Sequence, residues 1–153
     1  MESNNFSASR DTAWAMSQEN VEIVRSQIDA FNAFMRADLT REAAAEILDP
    51  HIEVLWHEER TAELPRDLRG AEALIAYAEE RRNGLGSLEA LEFIEAPDGR
   101  VVTPIRQKFR GGESGPPLET HFFYVWTVRD GKVGHVEIYM RRADALEAAG
   151  LEE

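Results

Sequence analysis

The chain reads as a single α+β domain, with helices in its first half and an antiparallel sheet in its second. Three observations predict this. Apolar residues recur at helical spacing as far as about Asn83, the period changes to two from Leu88 onward, and Asp130-Gly131 separates two alternating runs as a hairpin turn. An element order of this kind lays a curved sheet over the long first helix.

Residues 1 to 16 are polar and aperiodic and read as a flexible N-terminal extension, leaving 17 to 153 as the domain. Ser17 is the expected N-cap of a helix to about Arg36, with Glu19 in the first turn, where the helix dipole favours an anion. Val21, Val24, Ile28, Phe31 and Met35 form its apolar stripe. A second helix, rich in alanine, runs from Thr40 to Leu48 and stops at Asp49-Pro50, because the residue before proline is pushed out of the helical region. Ile52 to His57 alternates, with Ile52, Val54 and Trp56 on one face and Glu53, Leu55 and His57 on the other, as a strand does.

Glu58 to Arg69 is charged, contains Pro65 and reads as a loop. Gly70 precedes a third helix to about Asn83, with Leu74, Tyr77 and Ala78 on its buried side and Gly84 and Gly86 at its end. Leu88 to Glu95 is a strand, Pro97-Asp98-Gly99 a turn, and Arg100 to Arg110 the next strand. Gly111 to Leu118 reads as a loop. Thr120 to Arg129 and Lys132 to Met140 form the hairpin about Asp130-Gly131, and a short helix from Ala143 to Ala149 is closed by Gly150.

A length of 153 residues suits one domain, and 43% apolar with 30% charged residues is the composition of a folded chain rather than a disordered one. The net charge of −12 opposes binding to nucleic acid or to an anionic membrane. With no cysteine, disulfides, thiolate metal sites and cysteine nucleophiles are excluded together. No run approaches the ~18 to 20 apolar residues that span a bilayer, and the first 16 residues lack the pattern of a signal peptide. A cytoplasmic protein is expected.

Four segments together resemble the SnoaL-like branch of the nuclear transport factor 2-like superfamily. They are Met16-Ser17-Gln18-Glu19-Asn20-Val21-Glu22 with Ala30-Phe31-Asn32, then Leu68-Arg69-Gly70-Ala71-Glu72-Ala73, then Tyr124 to Val133, and finally Tyr139 to Leu151. The resemblance implies a cone in which a curved antiparallel sheet wraps the first helix around a pocket. It also implies a homodimer through the outer sheet face, and relatives that include polyketide cyclases, a steroid isomerase and epoxide hydrolases with an acidic general base in the cone. Where members commonly carry Asp, two residues after the tail tyrosine, this chain has Arg141.

If the hairpin keeps the register set by its two-residue turn, one face carries Phe122, Tyr124, Trp126, His135, Glu137 and Tyr139, and the other His121, Phe123, Val125, Thr127, Val136, Ile138 and Met140. The second face is mostly aliphatic and is expected to meet the helix, with His121 its polar intruder. Thr103 and Gln107 intrude likewise on the face of Val101, Ile105 and Phe109. A polar group on a core-facing surface is either paired or lines a cavity. His121 is thus a candidate acid/base inside the cone, Gln107 a ligand-orienting group, and Trp56 and Tyr77 apolar walls. The alternative makes His121 a satisfied histidine at the sheet edge and Trp56 and Tyr77 ordinary core. For the mixed face a polar-rimmed dimer interface is preferred over a pocket wall in which Tyr139 and Glu137 work together. His51, His57, His121 and His135 match no zinc spacing, Gly111-Gly112-Glu113-Ser114-Gly115 precedes no helix and so is no phosphate loop, and no metal or cofactor is expected.

The expected function is binding of a small, largely apolar molecule. An enzyme acting on a polyketide-like or terpenoid substrate and a dimeric interaction module without a ligand are the alternatives.

Overall fold

The computed structural model describes residues 2–57, 67–110 and 117–152. Helix α1 spans Glu2–Met35 and α2 Arg41–Ile47, followed by strands β1 (Glu53–Trp56) and β2 (Asp67–Arg69) and helix α3 (Ala71–Glu80). Strands β3 (Leu85–Ala90), β4 (Ile94–Glu95), β5 (Val101–Arg110), β6 (Pro117–Arg129) and β7 (Lys132–Tyr139) then lead to α4 (Arg142–Ala148). The strands form one curved, unclosed sheet in the order β2-β1-β7-β6-β5-β3, with β4 also on β5. Its pairs are antiparallel except β1 with β7, which run parallel.

α1 lies across the inner face of this sheet. Its stripe buries Val24 to 0%, and Ile28 and Phe34 are buried with it. Each such side chain contributes about 1.5 to 3 kcal/mol of transfer free energy. The helix begins at Glu2, so Ser17 is an interior position rather than an N-cap; residues 2–16 contain no proline or glycine to interrupt it. Two asparagines fix its axial position. The Asn20 amide donates to Gly99 O at 2.9 Å, and Asn32 donates to Leu88 O at 2.9 Å while accepting from Leu88 N–H at 2.8 Å. Leu88 belongs to the edge strand β3, so the Asn32 carboxamide takes the place of a further strand there and blunts the edge.

The local signals in the chain explain most element ends. Thr40 caps α2 through its hydroxyl, which accepts from Ala43 N–H. Asp130 and Gly131 both take positive φ, 50° and 78°, as a type I′ hairpin turn requires. α4 closes with Leu151 N–H on Leu146 O and Gly150 N–H on Glu147 O, a Schellman motif that needs the positive φ of Gly150. This helix covers part of the outer sheet face, packing Ala145, Leu146 and Ala149 on Val102 and Val125.

Three local expectations are corrected. Gly86 does not end α3; it lies inside β3, where an added Cβ would stand 2.8 Å from Lys108 O, so close passage of β3 over β5 demands glycine. The strand expected over Leu88 to Glu95 is two, β3 and β4, broken around the exposed Leu91. The tail of the expected loop over 58 to 69 is strand β2, paired with β1; 58–66 and 111–116 lie outside the described residues. No helix among the described residues is long and apolar enough to cross a membrane.

Candidate functional site

A pocket lies between α1, α3 and the inner sheet face. α1 contributes Gln27 and Phe31, α3 Leu74 and Tyr77, and β1 the side of the strand that carries Ile52, Val54 and Trp56. The floor is Phe122, Tyr124 and Trp126 of β6, flanked by Val136 and Ile138 of β7 and by Gln107 and Phe109 of β5, with Leu85 and Leu88 at the β3 edge. The open space is about 80 Å³. That is about half of the ~150 Å³ cavity that encloses a benzene ring, so the pocket takes no more than one small ring. Aromatic rings line it in sequence: Phe109 to Phe122 at 6.1 Å, Phe122 to Tyr124 at 6.4 Å and Tyr124 to Trp126 at 5.3 Å, with Trp56 against Tyr77 at 5.7 Å.

Among the described lining residues none is charged and none is histidine. Thr103, flagged by sequence as a polar intruder, is fully buried and accepts the Trp126 indole N–H at 2.8 Å, which satisfies both groups. Gln107 is buried to 5% exposure, and one amide N–H reaches Gly86 O at 3.5 Å. Burial pushes the Tyr77 phenol above its ordinary pKa, while Arg81, stacked on the ring at 4.2 Å, opposes that shift. The site therefore offers neutral hydrogen-bonding groups on apolar walls.

Of the residues singled out from sequence, Trp56, Tyr77 and Gln107 come together on the pocket lining, and His121 and Tyr139 do not. The cause is one extra residue in β7. The turn register holds for Arg129 opposite Lys132 and Val128 opposite Val133, but Thr127 pairs with His135 and Tyr124 with Ile138. A bulge at Gly134 thus exchanges the faces of the rest of β7. Phe122, Tyr124 and Trp126 share the inner face with Val136 and Ile138, and His121 lies outside with His135, Glu137 and Tyr139. His121 is 54% exposed and its nearest acid is Glu119 at 3.7 Å. A glycine inside an otherwise alternating strand is the signal that would have revealed the bulge and the β6 aromatics as the pocket floor.

The outer face gathers a second group. His57 Nε2 meets Glu137 Oε1 at 3.0 Å and its ring stacks on Tyr139 at 4.3 Å. His135 stands 3.9 Å from both Glu53 and Glu137, and Arg69 binds Glu53 at 2.8 Å. Desolvation, with the nearby Glu137 charge, pushes the Tyr139 phenol up to about 12. Glu53 and His57, read from sequence as a solvated face, are thus partnered, and no group of three or more such residues among the described ones is arranged to hold a metal.

No protein-family model matches the chain, and no curated protein does. Solved structures do. A nuclear transport factor 2-like protein of unknown function from Burkholderia pseudomallei K96243 is 20% identical, with a TM-score of 0.62 over 86% of this chain and 97% of that one. A candidate SnoaL-like polyketide cyclase from Jannaschia sp. CCS1 is 19% identical, TM-score 0.62, over 86% and 91%. SalBIII, an epoxide hydrolase/cyclase-like enzyme with a role in pyran ring formation in the polyether salinomycin, is 16% identical, TM-score 0.61, over 83% and 94%. Likeness at these identities establishes architecture: the chain has the nuclear transport factor 2-like fold, in the form it shares with SnoaL-like proteins.

Proposed function

We propose that the protein binds a small, largely apolar molecule in the pocket between α1, α3 and the inner sheet face. The observation that carries this reading is the lining itself, open space walled by aromatic and aliphatic side chains with only neutral polar groups among the described residues. Acid–base catalysis of the kind found in enzymes of this fold needs an ionisable group on the reacting atoms. With His121 outside, no carboxylate or imidazole of the described lining fills that role. Trp56 and Trp126 report binding directly, because both side chains line the pocket and each carries an indole N–H whose resonance responds to a ligand against its ring. Titration with monocyclic aromatic fragments is expected to shift both indole signals in ¹H–¹⁵N spectra, and His121→Ala to leave that response unchanged. Absence of any shift at saturating fragment, or loss of the response in His121→Ala, refutes the reading.

The outer face supports a second proposal, self-association. α4 packs against Tyr139 at one side of the β1–β7 strip, and beyond it the strip presents the His57–Tyr139 stack among charged partners, an aromatic centre with a polar rim. Sedimentation is expected to show a dimer, and Tyr139→Glu a monomer. The lack of cysteine suits a reducing cytoplasm as the place of action.

A further inference from the structure

We propose that Gln107 selects the ligand class: the pocket takes an uncharged single-ring molecule bearing one hydroxyl, such as a phenol or a cyclic alcohol, with that hydroxyl on the Gln107 carboxamide. This inference rests on the reading of the pocket as a ligand site.

Three observations on Gln107 converge. The residue is 5% exposed, so its amide group is withdrawn from bulk water. The only protein hydrogen bond it makes among the described residues is a long one, 3.5 Å from Nε2 to Gly86 O, and its oxygen accepts from no described donor. Yet no buried side-chain nitrogen or oxygen in the described structure is sealed off without a partner, so the Gln107 oxygen opens onto the pocket it lines. A carboxamide oxygen in apolar surroundings is an acceptor waiting for a neutral donor. The second N–H of the same group accompanies it as a donor, so a hydroxyl, which both donates and accepts, matches the pair.

Size and charge narrow the class further. Open space of about 80 Å³, about half of the ~150 Å³ cavity that encloses benzene, leaves no room for a fused multi-ring frame inside the pocket and favours a single ring. An ionised ligand would be desolvated without a counter-charge, since no charged side chain is among the described lining residues, and an anion would also meet a protein of net charge −12. Tyr77 and Gln27 remain on the opposite wall as further neutral partners.

The test compares p-cresol, toluene and 4-methylbenzoate by NMR titration on the full chain. p-Cresol and toluene are expected to bind, and 4-methylbenzoate at least about 100-fold more weakly than p-cresol. In Gln107→Leu the p-cresol to toluene affinity ratio is expected to fall at least about fivefold, because the ligand hydroxyl is then buried without its partner. Gln107→Met, which keeps the unbranched length, gives the same result if Gln107→Leu folds poorly. An unchanged ratio in both variants, a fall that follows Tyr77→Phe instead, or comparable binding of the carboxylate overturns this inference while leaving the pocket as a ligand site. If neither toluene nor p-cresol binds, the pocket reading fails with it.

Discussion

Replacing Asn32 by alanine tests how α1 is held over the pocket. The side chain makes two hydrogen bonds to a single residue of the edge strand, accepting from Leu88 N–H at 2.8 Å and donating to Leu88 O at 2.9 Å. Leu88 is 6% exposed, so its peptide groups have little water to turn to when the carboxamide is removed. A made hydrogen bond is worth about 0.5 to 1.5 kcal/mol net, and a buried group left unpaired costs about 1 to 3 kcal/mol; with two groups affected and part of the gap rehydrated, a loss of about 2 to 4 kcal/mol follows. At a urea dependence of ~2 kcal/mol per molar, the unfolding midpoint falls by roughly 1 to 2 M. Asn32→Asp discriminates further: it keeps the acceptor for Leu88 N–H but turns a carboxylate oxygen on Leu88 O, and is expected to be no better than alanine at neutral pH. Because Phe31 and Gln27 lie on the same helix and line the pocket, fragment affinity should weaken along with stability. A midpoint change below ~0.3 M in Asn32→Ala would refute the idea that this amide stands in for a neighbouring strand.

Thr103→Val strands the Trp126 indole N–H in a closed interior and is expected to cost about 1 to 3 kcal/mol by chemical denaturation, with a displaced indole proton resonance. Gly86→Ala forces β3 away from Lys108 O and is expected to lower stability by at least about 1 kcal/mol, whereas a neutral result would show that the strands separate freely. Arg41 binds Glu79 and Glu72 across α2 and α3, and its hydrogen bond holds the Glu79 carboxyl below the usual carboxylate range. A depressed acid stabilises above its unfolded pKa and loses that contribution as pH falls through the folded value, so the stability gap between wild type and Arg41→Gln should narrow on acidification below about pH 4. Arg141→Asp supplies the acceptor that the α4 N-cap lacks, where φ −121° and ψ 137° already suit a capping residue, and is expected to raise stability by about 0.5 to 2 kcal/mol without altering fragment binding.

That last position shows how far sequence reasoning reached. The missing Asp at residue 141 suggests lost chemistry when only a family pattern is in view, but the structure places Arg141 at a helix cap, exposed and away from the pocket. Helices α2 and α3, the turns at Asp130-Gly131 and Gly150, and the layered order of the domain were legible because each depends on local rules: apolar spacing, caps and positive φ. The inward faces of β1 and β5 were legible too, since Ile52, Val54 and Trp56, like Ile105 and Gln107, follow unbroken alternation. β7 was not, because its facing depends on a one-residue irregularity at Gly134 that local pattern does not count. The parallel pairing of β1 with β7 and the substitution of Asn32 for a strand are contacts between segments 56 or more residues apart, set by how the layers close and by no short motif.

The extra residue in β7 has a meaning for how such chambers diverge. Side-chain parity along a strand is strict, so pairing Gly134 in the ladder instead of bulging it out would exchange Val136 and Ile138 for His135 and Glu137 on the inward side, delivering an imidazole and a carboxylate to the wall beneath Trp126 and Tyr124. A chamber whose described walls are neutral and one furnished with an imidazole and a carboxylate are then separated by whether a single residue pairs or bulges.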